Sequence, residues 1–505
     1  MEMERGMVRA LAQRAAKQKG ATQKRKGQKR KVQKGSRGAA SPIWFASSAN
    51  WDQVRAALPP AAAAFAKASG FEPKPGAFLL LPDAEGELAG ALLGVEASQA
   101  GARAGAKRSA AEDPFLPGKL PASLPAGSWR FANPPGDART RELAALGFML
   151  GDYAFTRYRK AGSAGRANLQ TPDGVDGERL ARQRDAVFEA RDLINTPAND
   201  MGPEALEKAA LRLARSYGAK ARVIRGDALL KQNFPLIHAV GRAADQDPRL
   251  IDFTWGSPRA PKVTLVGKGV CFDTGGLDVK PSSAMLLMKK DMAGAATALA
   301  LARMIMDARL DVRLRVLLPM VENSISDEAF RPGDVYPSRK GLTVEIGNTD
   351  AEGRLILADA MALADEEAPE LLFDFATLTG AARVALGPDL PPFYCDDDAL
   401  ADEIARMGAQ AHDPVWRLPL WDAYDSMLSS KIASVNNVSS GPFAGSITAA
   451  LFLRRFVEKA GAWAHFDIYG WNPAGKPGRP EGGEPQTARL LYALLEQRYP
   501  ARRRR

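Results

Sequence analysis

The stretch VTLVGKGVCFDTGGLDVKPSSAMLLMKKDMAGAATALALARMI, residues 263–305, passes from strand through polar loop to helix. Val263-Thr264-Leu265-Val266 is a short apolar, β-rich run that stops at Gly267, which predicts a buried strand. The alanine-rich run from Ala293 to Arg309 predicts a helix. Lys268 follows the strand, Asp273 precedes the turn-forming Thr274-Gly275-Gly276, and Lys280 closes the loop. Asp291 stands where the helix begins, a residue type that favours the N-cap. Two acids and two lysines are thus gathered on one strand-to-helix crossover.

A second crossover follows in LTVEIGNTDAEGRLILADAMALADEE, residues 342–367. Asp350, Glu352 and Arg354 are spaced i, i+2, i+4, so a chain still extended after the Leu342–Ile346 strand would put them on one face. Gly347 and Gly353 allow close backbone approach there. Further strands are expected at Ala221–Ile224, Arg313–Pro319 and Leu371–Phe375, with a helix at Leu355–Glu367. This alternation predicts an α/β domain with a mixed, largely parallel sheet flanked by helices. Ligands in such sheets collect at the carboxyl ends of the strands.

Upstream, the signals suit a smaller α/β domain. Strands are expected at Pro42–Ala46, Phe78–Leu81 and Leu88–Gly94, and Pro59-Pro60 should divide two helices, Trp51–Leu58 and Pro60–Ala68. A helix is expected over Thr140–Arg159, while residues 101–130 show no clear period. The Gly/Ser/Asp-rich composition of Gly162–Asp176 marks a boundary. The reading is a two-domain protein: a basic tail at 1–40, an N-terminal α/β domain at 41–165, a linker at 166–180 and a catalytic domain at 181–500.

Composition sets limits on the chemistry. Of 505 residues, 46% are apolar and 25% charged, ordinary for a globular protein, and no apolar run is long enough to span a membrane. His238, His412 and His465 are the three histidines, and Cys271 and Cys395 the two cysteines, which excludes a Cys/His zinc cluster and a disulfide framework. Two thiols in so long a chain suit a reducing compartment, so a cytoplasmic location is expected. The net charge of +11 sits wholly in residues 1–40, where 13 Lys/Arg face Glu2 and Glu4. That stretch has too few apolar residues to fold and is read as a disordered basic tail, a solubilising arm in its ordinary reading. It is the one feature that suggests nucleic acid as a partner.

Any metal chemistry must therefore run on carboxylates. Asp273, Asp291, Asp350 and Glu352, with Lys268, supply about the right ligands for two divalent ions held about 3.5–4 Å apart. Positive charge beside Lys268 would favour its neutral amine as a ligand, which suits zinc or manganese. Each residue has an ordinary reading: a lone Asp caps a helix, an Asp-x-Glu pair lies in solvent, and Gly-Gly is a turn. It is their joint appearance on successive crossovers that predicts a site. A two-metal phosphoesterase is the rival enzyme, and a nucleic-acid-binding protein working through the basic tail is the rival of another class.

The string NTDAEGRL, Asn348 to Leu355, resembles the signature of the leucyl (cytosol) aminopeptidase family, the di-metal M17 peptidases. VGKGVCFDTGGLDVKP and MKKDMAGAA resemble its other two active-site blocks, and the similarity extends through ARDLINTPAND, TLTGA, WRLPLW, FAGSITAALFLRRFV and WAHFDIYGW, over roughly residues 145–472. The resemblance implies a metallo-aminopeptidase in which metal-bridged hydroxide attacks the scissile carbonyl of short peptides with a free N-terminus. It implies that Asp273 and Glu352 bridge both metals, that Asp350 binds through carboxylate and carbonyl, and that Lys268 and Asp291 complete the set. Lys280 would polarise the scissile carbonyl, and Arg354 would hold a bicarbonate acting as general base. Met288, Thr377 and Leu378 would lie near the first side-chain pocket or the substrate's amine. A homohexamer is also implied. His465 and His412 read as structural. The family commonly has an Ala-Thr-Gly-Phe-Gly-type segment near that pocket; here the chain reads EGGEPQTARLLYALL after an insert-like Asn472–Glu484 stretch, which leaves the pocket wall open.

Overall fold

The structure is a computed structural model; it describes residues 40–95, 113–134, 136–159 and 166–501. The basic stretch at 1–40, except Ala40, and the arginines at 502–505 lie outside the described residues. The first unit is a five-stranded sheet of β1 (Ser41–Ala46), β2 (Phe78–Pro82), β3 (Leu88–Gly94), β4 (Gly127–Phe131) and β5 (Ala167–Leu169), in the order β2-β3-β1-β4-β5. Only the β2–β3 hairpin is antiparallel. Helices α1 (Trp51–Ala57) and α2 (Pro60–Ala68) break at the Pro pair, since a proline ring cannot follow a helical turn.

Two expectations change here, and the stretch without a clear period takes shape. Helix α3 (Ala138–Gly151) stops well before Arg159. The chain leaves it so that the Tyr153 hydroxyl can donate to Asp192 Oδ1 at 2.8 Å and accept from Asn195 Nδ2 at 2.9 Å, contacts that outweigh helix propensity. The aperiodic region resolves, from residue 113, into a 3-10 turn at Leu116–Lys119 and strand β4, anchored by buried Phe115 and Trp129. The stretch expected as a linker is largely folded: β5 pairs in parallel with β4, and Gly177 opens α4 (Gly177–Asn195), capped by Asp176, whose side chain accepts from the Arg179 amide. Only the turn residues between them match the composition signal.

The second unit is built on a mixed sheet. Its strands are β6 (Lys220–Arg225), β7 (Arg249–Trp255), β8 (Lys262–Gly267), β9 (Gly269–Asp273), β10 (Arg313–Asn323), and, after two short strands elsewhere, β13 (Leu371–Ala376), β14 (Pro392–Cys395), β15 (Trp416–Arg417) and β17 (Ala462–Asp467). The order is β15-β14-β17-β13-β8-β10-β7-β6, with β9 also on β10. The central strands β17, β13, β8 and β10 run parallel. Helices α4, α5 (Ala293–Ala308) and α8 (Ala488–Arg498) cover one face; α6 (Glu352–Asp365) and α7 (Gly445–Arg454) cover the other. Buried on both sides, the central strands read as continuous apolar runs rather than alternations.

The Leu342–Ile346 segment is extended as expected but lies outside this sheet. Its strand β12 (Thr343–Glu345) joins β11 (Val335–Pro337) and β16 (Val435–Asn436) in a separate three-stranded sheet. The insert-like segment is tied to the core by Arg191 on α4. Its fully buried guanidinium donates to Glu484 Oε2 at 2.8 Å, to the Gly478 carbonyl at 2.9 Å and, beyond, to the Leu150 carbonyl at the end of α3 at 3.0 Å. Among the described residues no helix is long and apolar enough to cross a membrane.

Candidate metal centre

Strand β8 ends where helix α5 presses on the sheet. A Cβ at Gly294 would lie 2.1 Å from the Phe375 carbonyl oxygen, so only glycine lets the helix start there. The Lys268 amide still donates to Phe375 of β13 at 2.9 Å, and the chain then resumes along β10 as β9. This break aims the Lys268 side chain across the strand ends. Its ammonium lies 2.9 Å from Asp291 Oδ2 and 2.8 Å from Glu352 Oε1, and donates to the Thr377 carbonyl at 3.1 Å. Gly353 makes room for it, since a Cβ there would meet Lys268 Cε at 2.5 Å.

Asp291 is not a helix cap, contrary to the ordinary reading of its position. It sits inside a 3-10 turn, Met288–Met292, and Met292 takes the capping place of α5. Its carboxylate faces Lys268 and accepts from the Thr377 hydroxyl at 2.6 Å. Asp273 ends β9; its Oδ1 accepts from the Gly275 amide at 2.9 Å and Asn323 Nδ2 at 2.8 Å, while Oδ2 lies 2.8 Å from the Lys280 ammonium. Lys280 also pairs with Asp350.

The second crossover brings its residues in by a turn, not by strand alternation. Asp350 lies in the turn, and Glu352 is the first residue of α6, with Arg354 two further on. The two crossovers are stapled by Thr349, whose hydroxyl donates to the Gly275 carbonyl at 2.6 Å and whose amide donates to Asp278 Oδ2 at 2.8 Å. One oxygen each from Asp273, Asp350 and Glu352 then lies within 4.8 Å of the others.

The charges do not balance within this cluster. Lys268 and Lys280 face four carboxylates, three of them nearly sealed from solvent. Burial, with Asp273 adjacent, pushes Glu352 up to about 8 and Asp350 up to about 6. Burial opposes charge on Lys268, yet Asp291, Glu352 and Asp273 hold its pKa well above the lysine range. Asp291 Oδ2, Asp350 Oδ1 and Glu352 Oε1 each face a lysine but accept no well-aligned hydrogen bond. Crowded, under-satisfied carboxylate oxygens with an amine beside them are a donor set that fits divalent cations.

Arg354 is buried beside Glu352, with burial drawing its pKa down to about 10. Nη1 donates to the Asn437 carbonyl at 2.7 Å, and Nε has no hydrogen-bond partner. Thr377 follows β13 and touches Asp291, as described; the Leu378 amide donates to Asp467 Oδ1 at 3.0 Å; Met288 opens the turn that carries Asp291. His465 is sealed in β17 with Nδ1 2.6 Å from Asp374 Oδ1, and His412 pairs with Asp113, so both are placed structurally. Asn323, Thr349, Asn437 and Asp467 also support the site and were not singled out from sequence. Asn323 and Asp467 had a signal: each is a polar residue closing an apolar strand at its carboxyl end.

Comparison with known proteins bears on this arrangement. Residues 188–492 match the family profile described as cytosol aminopeptidase family, catalytic domain, and residues 42–172 match M17 aminopeptidase, N-terminal domain. A probable cytosol aminopeptidase of Chlamydia abortus is 45% identical over 58% of this chain and 60% of its own length. One of Syntrophotalea carbinolica is 43% identical over 63% of this chain and 65% of its own. The matches thus span less than two thirds of these curated relatives. The crystal structure of cytosol aminopeptidase from Coxiella burnetii superposes with a TM-score of 0.85 at 45% identity, covering 92% of this chain and 98% of that one. The bottromycin maturation enzyme BotP in complex with Mn superposes at 0.81 with 32% identity, covering 91% and 99%.

Proposed function

Because the chain belongs to the cytosol aminopeptidase family, we propose that it is a metallo-aminopeptidase releasing N-terminal residues from short peptides at a two-metal centre. What supports this most is the convergence of Asp273, Asp350 and Glu352 oxygens within 4.8 Å at the strand ends, beside Lys268 and Asp291. Those five residues would hold two divalent ions, manganese or zinc, and Arg354, with its free Nε, would hold a bicarbonate. The ions supply Lewis acidity and an acidified water, and the bicarbonate a base.

The chain's own residues do the rest. Lys280 stands at the edge of the carboxylate cluster and donates to the oxygen of the scissile carbonyl as negative charge develops there. Asn323 and the Gly275 amide orient Asp273, and Thr377 orients Asp291, so the carboxylates keep their geometry as substrate enters. Met288, Thr377 and Leu378 border the place of the first residue. The family resemblance extends the reading to a cytoplasmic homohexamer, which light scattering at micromolar concentration tests.

The activity is tested by assaying aminoacyl amides with Mn²⁺, Zn²⁺ and Co²⁺. Cleavage should require both metal and a free α-amine, so an N-acetylated peptide should resist. Equal cleavage of the acetylated peptide, or turnover of phosphoesters in its place, would reject the reading.

A further inference from the structure

Lys290 is a buried cation that the chemistry above does not use. It is 5% exposed and neighbours Asp291 on the turn that begins with Met288. Its ammonium lies 4.6 Å from the centre of the Tyr469 ring, and among the described residues no hydrogen bond or ion pair reaches it. The Arg383 guanidinium lies over the same ring at 5.3 Å, so two like charges share one aromatic side chain. The acids nearby are committed elsewhere. Asp291 faces Lys268 and Thr377. Asp467 accepts from the Leu378 and Thr379 amides and from the Thr379 and Ser446 hydroxyls.

Tyr469 is itself held in place. Its amide and that of Gly470 donate to Gln486 Oε1 at 2.9 and 3.0 Å, and a Cβ at Gly470 would lie 3.2 Å from Thr377 Cγ2. Gly470, next to Tyr469, thus packs against Thr377 and the Lys290 backbone, and the turn that carries Lys290 also carries Met288 and Asp291, whose carboxylate accepts from the Thr377 hydroxyl. A buried ammonium with no acid is costly, and a carboxylate brought to it forms a charge-assisted contact.

We propose that Lys290 and Tyr469, with Arg383 at the rim, form a subsite for a carboxylate on the side chain of the substrate's first residue, so that peptides beginning with glutamate or aspartate are preferred. The inference rests on the aminopeptidase reading and assigns its substrate class. A leucine side chain in the same place would leave the ammonium unpaired.

The test compares kcat/KM for Glu-amide, Gln-amide and Leu-amide on the manganese-loaded full chain. Glu-amide should exceed Gln-amide by at least about tenfold, the worth of one charge-assisted hydrogen bond. Lys290→Met should lower the Glu/Leu ratio by about tenfold or more, and Lys290→Arg should keep most of it. As a readout apart from turnover, free L-glutamate should raise the melting temperature more than L-glutamine. Leu-amide cleaved better than Glu-amide, or a ratio unmoved by Lys290→Met, overturns the subsite. So does a Lys290→Met loss confined to Leu-Gly over Leu-Gly-amide, which would assign the cation to a peptide's C-terminal carboxylate. If Lys290→Met does not fold, the wild-type Glu/Gln ratio decides. Cleavage of Leu-amide without Glu-amide defeats this inference alone, whereas no cleavage of any amide defeats the aminopeptidase reading as well.

Discussion

Glu352 and Asp273 differ from surface acids in what their removal would do. Their oxygens are buried among like charges, so Glu352→Gln or Asp273→Asn keeps the shape and deletes the charge a cation requires. Either change should abolish turnover and lower bound manganese, measured together by assay and metal analysis. Unchanged metal content in both variants would separate these acids from metal binding. Lys280→Met should leave metal content near normal and reduce kcat by about 10²–10³-fold, the usual loss when one donor to a developing oxyanion goes. Arg354→Ala should slow the reaction less, since an anion from solution can substitute, and added bicarbonate should then partly restore the rate.

At the scale of elements, the site depends on how tightly α5 and α6 meet the strand ends. Gly294→Ala would place a methyl 2.1 Å from the Phe375 carbonyl, a contact with backbone that no rotamer relieves. We expect α5 to be displaced, with Asp291 and Lys268 out of register, seen as a lowered melting temperature and reduced metal affinity. The alternating strands and helices around this packing were legible because apolar runs, glycine stops and alanine-rich helices are local signals. The four carboxylates were legible by their number and spacing. The manner of their convergence was not. Asp350 and Glu352 meet across a turn and a helix start, where alternation predicted an extended strand, and Asp291 serves a lysine rather than a helix end. Lys290 and Tyr469, nearly 180 residues apart, carried no signal at all, because only tertiary folding sets one over the other.

Across the whole molecule, one buried ion pair joins three distant stretches. Arg191 reaches Glu484, Gly478 and the end of α3 at Leu150, from a position wholly inside the protein. Arg191→Leu would strand the Glu484 carboxylate and should cost roughly 3–5 kcal/mol in urea unfolding, the usual result of breaking a buried pair. The same pair sets an acid limit. Burial alone would raise the Glu484 carboxyl, but Arg191, backed by Arg479 and Arg489, holds it below the ordinary glutamate value of 4.5. A depressed folded pKa gives stability that is present above that value and lost as pH falls through the folded one. Melting temperature should therefore drop in acid, and Glu484→Gln should flatten that drop while lowering the plateau near neutrality.

The order in which the chain is made gives this pair a further meaning. Arg191 leaves the ribosome 293 residues before Glu484, so their pair can form only after the strands of the catalytic sheet between them have been synthesised. A nascent chain halted short of Glu484 therefore lacks the carboxylate that Arg191 pairs with in the folded protein.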